Sequence, residues 1–197
     1  MPLHAQRHPV VEVHAPAPAM AMLEGPVVTA RDMLAGSRIR ELLAAGFPAQ
    51  FHFQVELWSQ GRWTNDIERR AEYDVKVRYI PLDKVYEVVQ MTDGRALSLG
   101  RFARVEDAEA AIARPTRAPV TARRISRRQY YQVTLDVEVL SLRDLDEVDR
   151  WLRGEIEPAF NGNAGTVVTR GLKTLVARVL GGEKREYEAH TEPFQLP

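Results

Sequence analysis

Phe51-His52-Phe53-Gln54-Val55-Glu56-Leu57 decides the fold, because four apolar side chains alternate there with three polar ones. A period of two sets Phe51, Phe53, Val55 and Leu57 on one face of a strand and His52, Gln54 and Glu56 on the other. The pattern returns in Tyr73-Asp74-Val75-Lys76-Val77-Arg78-Tyr79. It returns again from Tyr131 to Val139, where Val133, Leu135 and Val137 alternate with Thr134, Asp136 and Glu138. Strands with one buried and one wet face belong to antiparallel sheets, whereas strands of parallel sheets read as continuous apolar runs.

Turn chemistry points the same way. Gln60-Gly61-Arg62 follows the first strand, and Pro81-Leu82-Asp83-Lys84 separates the second from a strand at Val85 to Met91. Asp93-Gly94 then predicts a tight hairpin into Ala96 to Leu99. A further strand is expected near Val27 to Met33. Four helices are expected between strands. One is capped by Ser37, with Ile39, Leu42 and Leu43 on its inner face, and stops at Gly46 and Pro48. A second runs from Val105 to Ala113. A third starts at Ser141 with Asp144 in a capping-box position, and a fourth spans Val167 to Leu180. The expected class is therefore α+β leaning mainly β: an antiparallel, β-sandwich-like (immunoglobulin-like) sheet system with short connecting helices and a C-terminal helix.

Three regions differ in composition. Residues 1–26 hold five of the twelve prolines, with Ala, Val and His between them, and read as a disordered leader. Residues 27–153 carry the antiparallel β pattern. Residues 154–197 are expected to form a loop, helix and tail packed on the same domain. Leu3-His4-Ala5-Gln6 resembles the small-residue end of a secretory cleavage site, which favours an extracytoplasmic chain over a cytoplasmic one.

The chain has 197 residues, 27 Lys and Arg against 27 Asp and Glu, and no cysteine. The missing cysteines exclude disulfide frameworks, thiolate zinc sites, iron–sulfur clusters and cysteine nucleophiles. No apolar run reaches the roughly 18 residues of a membrane-spanning helix. Charge neutrality conceals two opposed segments. Residues 114–128 contain six arginines and no acid, while residues 136–149 contain six acids and only Arg143.

The helix end Ala45-Gly46-Phe47-Pro48, followed by Val55-Glu56-Leu57-Trp58, by Tyr73 to Tyr79 and by Tyr86-Glu87-Val88, resembles the bacterial family called domain of unknown function 4390. The Asp107-Ala108 helix and the Tyr131 to Leu140 strand with its Ser141 to Leu145 helix start extend the resemblance over roughly residues 26–152. It implies an extracytoplasmic bacterial protein made with an amino-terminal signal or anchor. It supplies no activity and no site residues.

Candidate chemistry is sparse. His52 is the one histidine within the sheet pattern, no serine-nucleophile elbow accompanies it, and a partly packed strand histidine is the expected role. Asp144, Asp146, Glu147 and Asp149 suit the positive end of a helix dipole, and the spacing of a calcium loop is absent. Asn161-Gly162-Asn163-Ala164-Gly165-Thr166 reads as a turn and helix cap and lacks the lysine of a nucleotide loop. No residue set calls for a metal or other cofactor. Two constellations remain for recognition. Arg114, Arg117, Arg123, Arg124, Arg127 and Arg128 suit an anionic surface or protein partner, and Trp58, Trp63 and Tyr130 could offer aromatic contacts. Nucleic acid is not expected as a partner.

The leading expectation is a non-enzymatic envelope protein that uses a strand edge or the arginine segment to meet a protein or anionic partner. The alternatives are a hydrolase built from His52, the acidic helix start and the 161–166 loop, and a lipid carrier with a pocket beside the C-terminal helix.

Overall fold

The computed structural model describes residues 8–139 and 185–197. In chain order the elements are β1 (Val10–His14), β2 (Val27–Arg31), α1 (Ser37–Ala44), β3 (Ala49–Ser59), β4 (Asp66–Ile80) and β5 (Val85–Thr92). They continue with β6 (Arg95–Phe102), α2 (Val105–Ile112), β7 (Thr116–Arg117), β8 (Gln129–Val139) and β9 (Arg185–His190). The fold is mainly antiparallel β, with two sheets and two short helices among the described residues. The expected helices at Ser141 and at Val167 to Leu180, the 161–166 loop and the acidic cluster Asp144 to Asp149 lie outside those residues.

The larger sheet has the order β6-β5-β4-β3-β8-β9, and every pairing in it is antiparallel. Register brings the three alternating stretches onto one face: Phe51 lies opposite Val75 and Val137, and Phe53 opposite Tyr73 and Leu135. These side chains form the core together with Val55, Val77 and Val133. Burial of each large apolar side chain contributes about 2 kcal/mol, so the period-two pattern fixes which way the sheet faces.

A second sheet, β1-β2-β7, supplies Val11, Val13, Val28 and Ala30 to the same core, and α2 adds Ala108 and Ile112. Two corrections to the sequence reading follow. Val10–His14 is a strand paired with β2, where a disordered leader was expected. Its Val11 and Val13 are buried while Glu12 and His14 are not, a short alternation hidden among prolines and alanines. The strand expected near Val27 to Met33 ends at Arg31 and belongs to this smaller sheet. Gly25 permits the junction, since a Cβ there would fall 1.9 Å from the Ala118 carbonyl oxygen.

Local signals are mostly honoured. Asp93 and Gly94 both have positive φ, 49° and 73°, as a type I′ hairpin requires. Gly46, at φ 90°, ends α1 with Phe47 N–H donating to Leu42 and Gly46 N–H to Leu43, a Schellman pair. Ser37, expected as the cap of α1, is instead its first helical residue. Gly36 occupies the cap position and no side chain closes the turn.

Candidate functional site

The six arginines do not form one cationic patch. Arg117 pairs with Glu24 at 2.8 Å, Arg123 with Glu68 at 3.4 Å and Arg127 with Asp66 at 2.8 Å. Arg128 donates to the Pro193 carbonyl in the C-terminal tail. Arg114 and Arg124 are exposed and take part in none of these contacts. The segment after β7 thus runs past the start of β4, where Glu68 and Asp66 fasten Arg123 and Arg127. Glu24, Asp66 and Glu68 neutralise half of a charge that looks unopposed when only residues 114–128 are counted.

Two of the three aromatic candidates come together on the wet face of the larger sheet. Trp58 and Tyr130 are register partners, with rings stacked at 6.3 Å and 11°. Beneath them lies Glu56, only 3% exposed, which accepts hydrogen bonds from Gln54 Nε2 (2.9 Å), Trp58 Nε1 (3.0 Å) and Arg70 Nε (2.8 Å). A buried carboxylate is tolerable only with such donors around it. Sequence reasoning passed over Glu56; its signal was the Gln54, Glu56, Trp58 spacing, which places all three on one strand face. Trp63 stands apart in the β3–β4 loop, 90% exposed, with the Arg62 guanidinium 5.9 Å from its ring centroid. Asn65 from the same loop reaches the Tyr130 hydroxyl at 3.3 Å.

His52 sits on this face with Nδ1 2.8 Å from Asp74 and Nε2 3.9 Å from Glu72, and Gln50 also donates to Asp74. The arrangement orients the imidazole within a cross-strand polar row. Of the three groups that the hydrolase alternative required, only His52 falls within the described residues.

Among the described residues β6 ends the larger sheet. Arg95 pairs with Thr92 across the two-residue turn, so the backbone groups of Arg95 and Leu97 face β5 and those of Ala96 and Ser98 face outward. Residues 95 to 98 are all exposed, and Leu97 is 61% exposed. The register shift at Val88/Val89, with Gly100 at φ 135°, limits the flat part of the edge to its first half.

The family model described as domain of unknown function (DUF4390) matches residues 33–150. The chain belongs to that family. No curated protein and no solved structure matches the chain. The DUF4390 match takes in β3 to β8 and both helices, hence Glu56, the aromatic pair, the β6 edge and all six arginines. β1, β2 and β9 lie outside it, although β1 and β2 bury four side chains in the core that the DUF4390 strands create.

Proposed function

We propose that this DUF4390 protein is a non-enzymatic binding module of the bacterial envelope that accepts an extended segment of a partner protein along the free edge of β6. The supporting observation is the run Arg95 to Ser98: exposed, flat, and with the outward backbone groups of Ala96 and Ser98 meeting no strand among the described residues. An edge of this kind is a template for strand addition. The arginine segment supports the partner role less well, because half of its guanidinium groups are already occupied by acids of the same chain. Two antiparallel sheets that share one core support the sandwich-like reading of the architecture and give the edge a rigid backing. The extracytoplasmic setting, against a cytoplasmic one, belongs to the same proposal and rests on the family resemblance.

A photoreactive residue at Ala96 tests this in intact envelopes. A discrete crosslinked adduct is expected, and Ser98→Pro, which deletes an outward N–H and leaves the ladder to β5 intact, is expected to abolish it. Absence of any adduct, or an adduct indifferent to Ser98→Pro, overturns the proposal.

A further inference from the structure

Between β2, the end of α2 and the inner face of β3 to β6 lies a cavity of about 210 Å³. At ~30 Å³ per water it has room for about seven, and its wall mixes apolar side chains, among them Phe53, Val75, Leu99 and Ile112, with polar ones. Four polar side chains line it: Tyr73, Gln90, Arg114 and Thr116, the last with its hydroxyl in a long 3.5 Å contact to the Arg114 carbonyl. Tyr73 is 6% exposed, its ring stacks on Phe53 at 4.7 Å and 7°, and its hydroxyl makes no hydrogen bond among the described residues. Burial holds that hydroxyl firmly protonated, so it acts as a donor. Gln90 uses its amide only in a long 3.5 Å contact to the Thr92 hydroxyl. Arg114, just past the end of α2, lines the cavity and is exposed. It is without an ion pair among the described residues, unlike Arg117, Arg123 and Arg127.

We propose that this cavity is a binding site for a small amphipathic carboxylate, with its apolar body against Phe53, Val75, Leu99 and Ile112 and its head group on Arg114. The guanidinium fork matches a carboxylate with two parallel hydrogen bonds. Tyr73 offers a hydroxyl already freed from competing contacts, and Gln90 an amide close by. Arg114 stands beside Pro115, and both are exposed, so the charged end of the ligand lies at the mouth and the apolar end inside. Desolvation then falls on the tail, where it is favourable, and the charge keeps access to water. A site of this size takes a medium-chain or single-ring acid, well short of a membrane lipid's two chains.

Titration of the full chain with octanoate and with octanol, followed by calorimetry and by amide chemical shifts, tests the assignment. Octanoate is expected to bind saturably at one site, with shifts centred on β2, β5, β6 and residues 111–116. Octanol is expected to bind at least about tenfold more weakly, the scale of one charge-assisted contact. Arg114→Gln, at an exposed position that should not disturb folding, is expected to weaken octanoate about tenfold and leave octanol unchanged. Tyr73→Phe keeps the stack on Phe53 and is expected to weaken octanoate by a smaller factor. No saturable binding of octanoate, equal affinities for acid and alcohol, or an Arg114→Gln variant with unaltered octanoate affinity each overturns the proposal.

Discussion

Glu109 on α2 accepts the backbone N–H of Met33 at 2.8 Å, and its second carboxylate oxygen accepts that of Leu34. Both residues are fully buried, and they lie in the bend between β2 and α1, where no ladder or helix satisfies their backbone. One side chain thus closes two N–H groups that would otherwise be orphaned, and it ties the start of the family domain to its second helix. Glu109→Ala is expected to cost about 3 kcal/mol, the scale of two unmet buried donors, and Glu109→Gln clearly less, since one acceptor oxygen survives. Urea denaturation of the two variants checks the ranking; equal losses would show that packing, not hydrogen bonding, holds the bend.

The strand Val10–His14 makes a second prediction. Val11 and Val13 are buried against the larger sheet, and β1 pairs along its whole length with β2. A carboxylate at position 11 would have to enter the core without a counter-charge, so Val11→Asp is expected to release β1 or to cost at least about 3 kcal/mol. Glu12→Ala, one residue along on the exposed face, is expected to change stability by less than about 1 kcal/mol, since it loses only solvent-accessible contacts, to Arg31 and to His14. Amide exchange across β1 and β2 separates the two cases. Fast exchange of β1 in the unsubstituted chain would restore the reading of this region as a loose leader.

That strand also shows where sequence legibility ended. The alternation in β3, β4 and β8 was read directly, because each is long enough for period two to outweigh chance and each meets a like neighbour in register. β1 has the same alternation over five residues, but its setting of Pro, Ala and His lowers the local signal. Only the apolar face of the larger sheet, remote in sequence, gives Val11 and Val13 something to cover. The candidate site followed the same rule. The pairing of Trp58 with Tyr130 follows once register is known, yet the neutralising partners of the arginines come from residues 24, 66 and 68, which no local charge count could have selected.

Those pairs lead to a third expectation. Arg127 and Asp66 are 51% and 57% exposed, and an ion pair in that setting contributes no more than about 1 kcal/mol. Arg123→Ala and Arg127→Ala should each leave stability nearly unchanged, and raising salt should shrink what difference exists. If either substitution cost several kcal/mol in thermal or urea unfolding, the segment would be a structural strap and not a loosely fastened surface stretch.

Tyr131 carries the clearest pH dependence. It is fully buried, no hydrogen bond of ordinary geometry reaches its hydroxyl among the described residues, and its ring stacks on Phe194 at 5.5 Å. Burial pushes its pKa up to about 12, opposed in part by the Arg69 guanidinium and the Ala122 backbone. The folded state therefore keeps a proton that the unfolded state releases near the ordinary tyrosine value of about 10. The contribution is complete below pH ~10 and is lost as pH rises toward about 12, because there the unfolded chain binds fewer protons than the folded one; two units correspond to about 2 to 3 kcal/mol. Tyr131→Phe removes this dependence and also removes an unsatisfied hydroxyl while retaining the stack. The variant is expected to be at least as stable as the parent at pH 8 and to exceed it by about 2 kcal/mol at pH ~12. Tyr73, whose hydroxyl is raised still further by burial, is present in both chains and cancels from the comparison. A parent and variant whose denaturation midpoints stay parallel from pH 8 to 12 would mean that the Tyr131 hydroxyl finds solvent or a partner in the folded state.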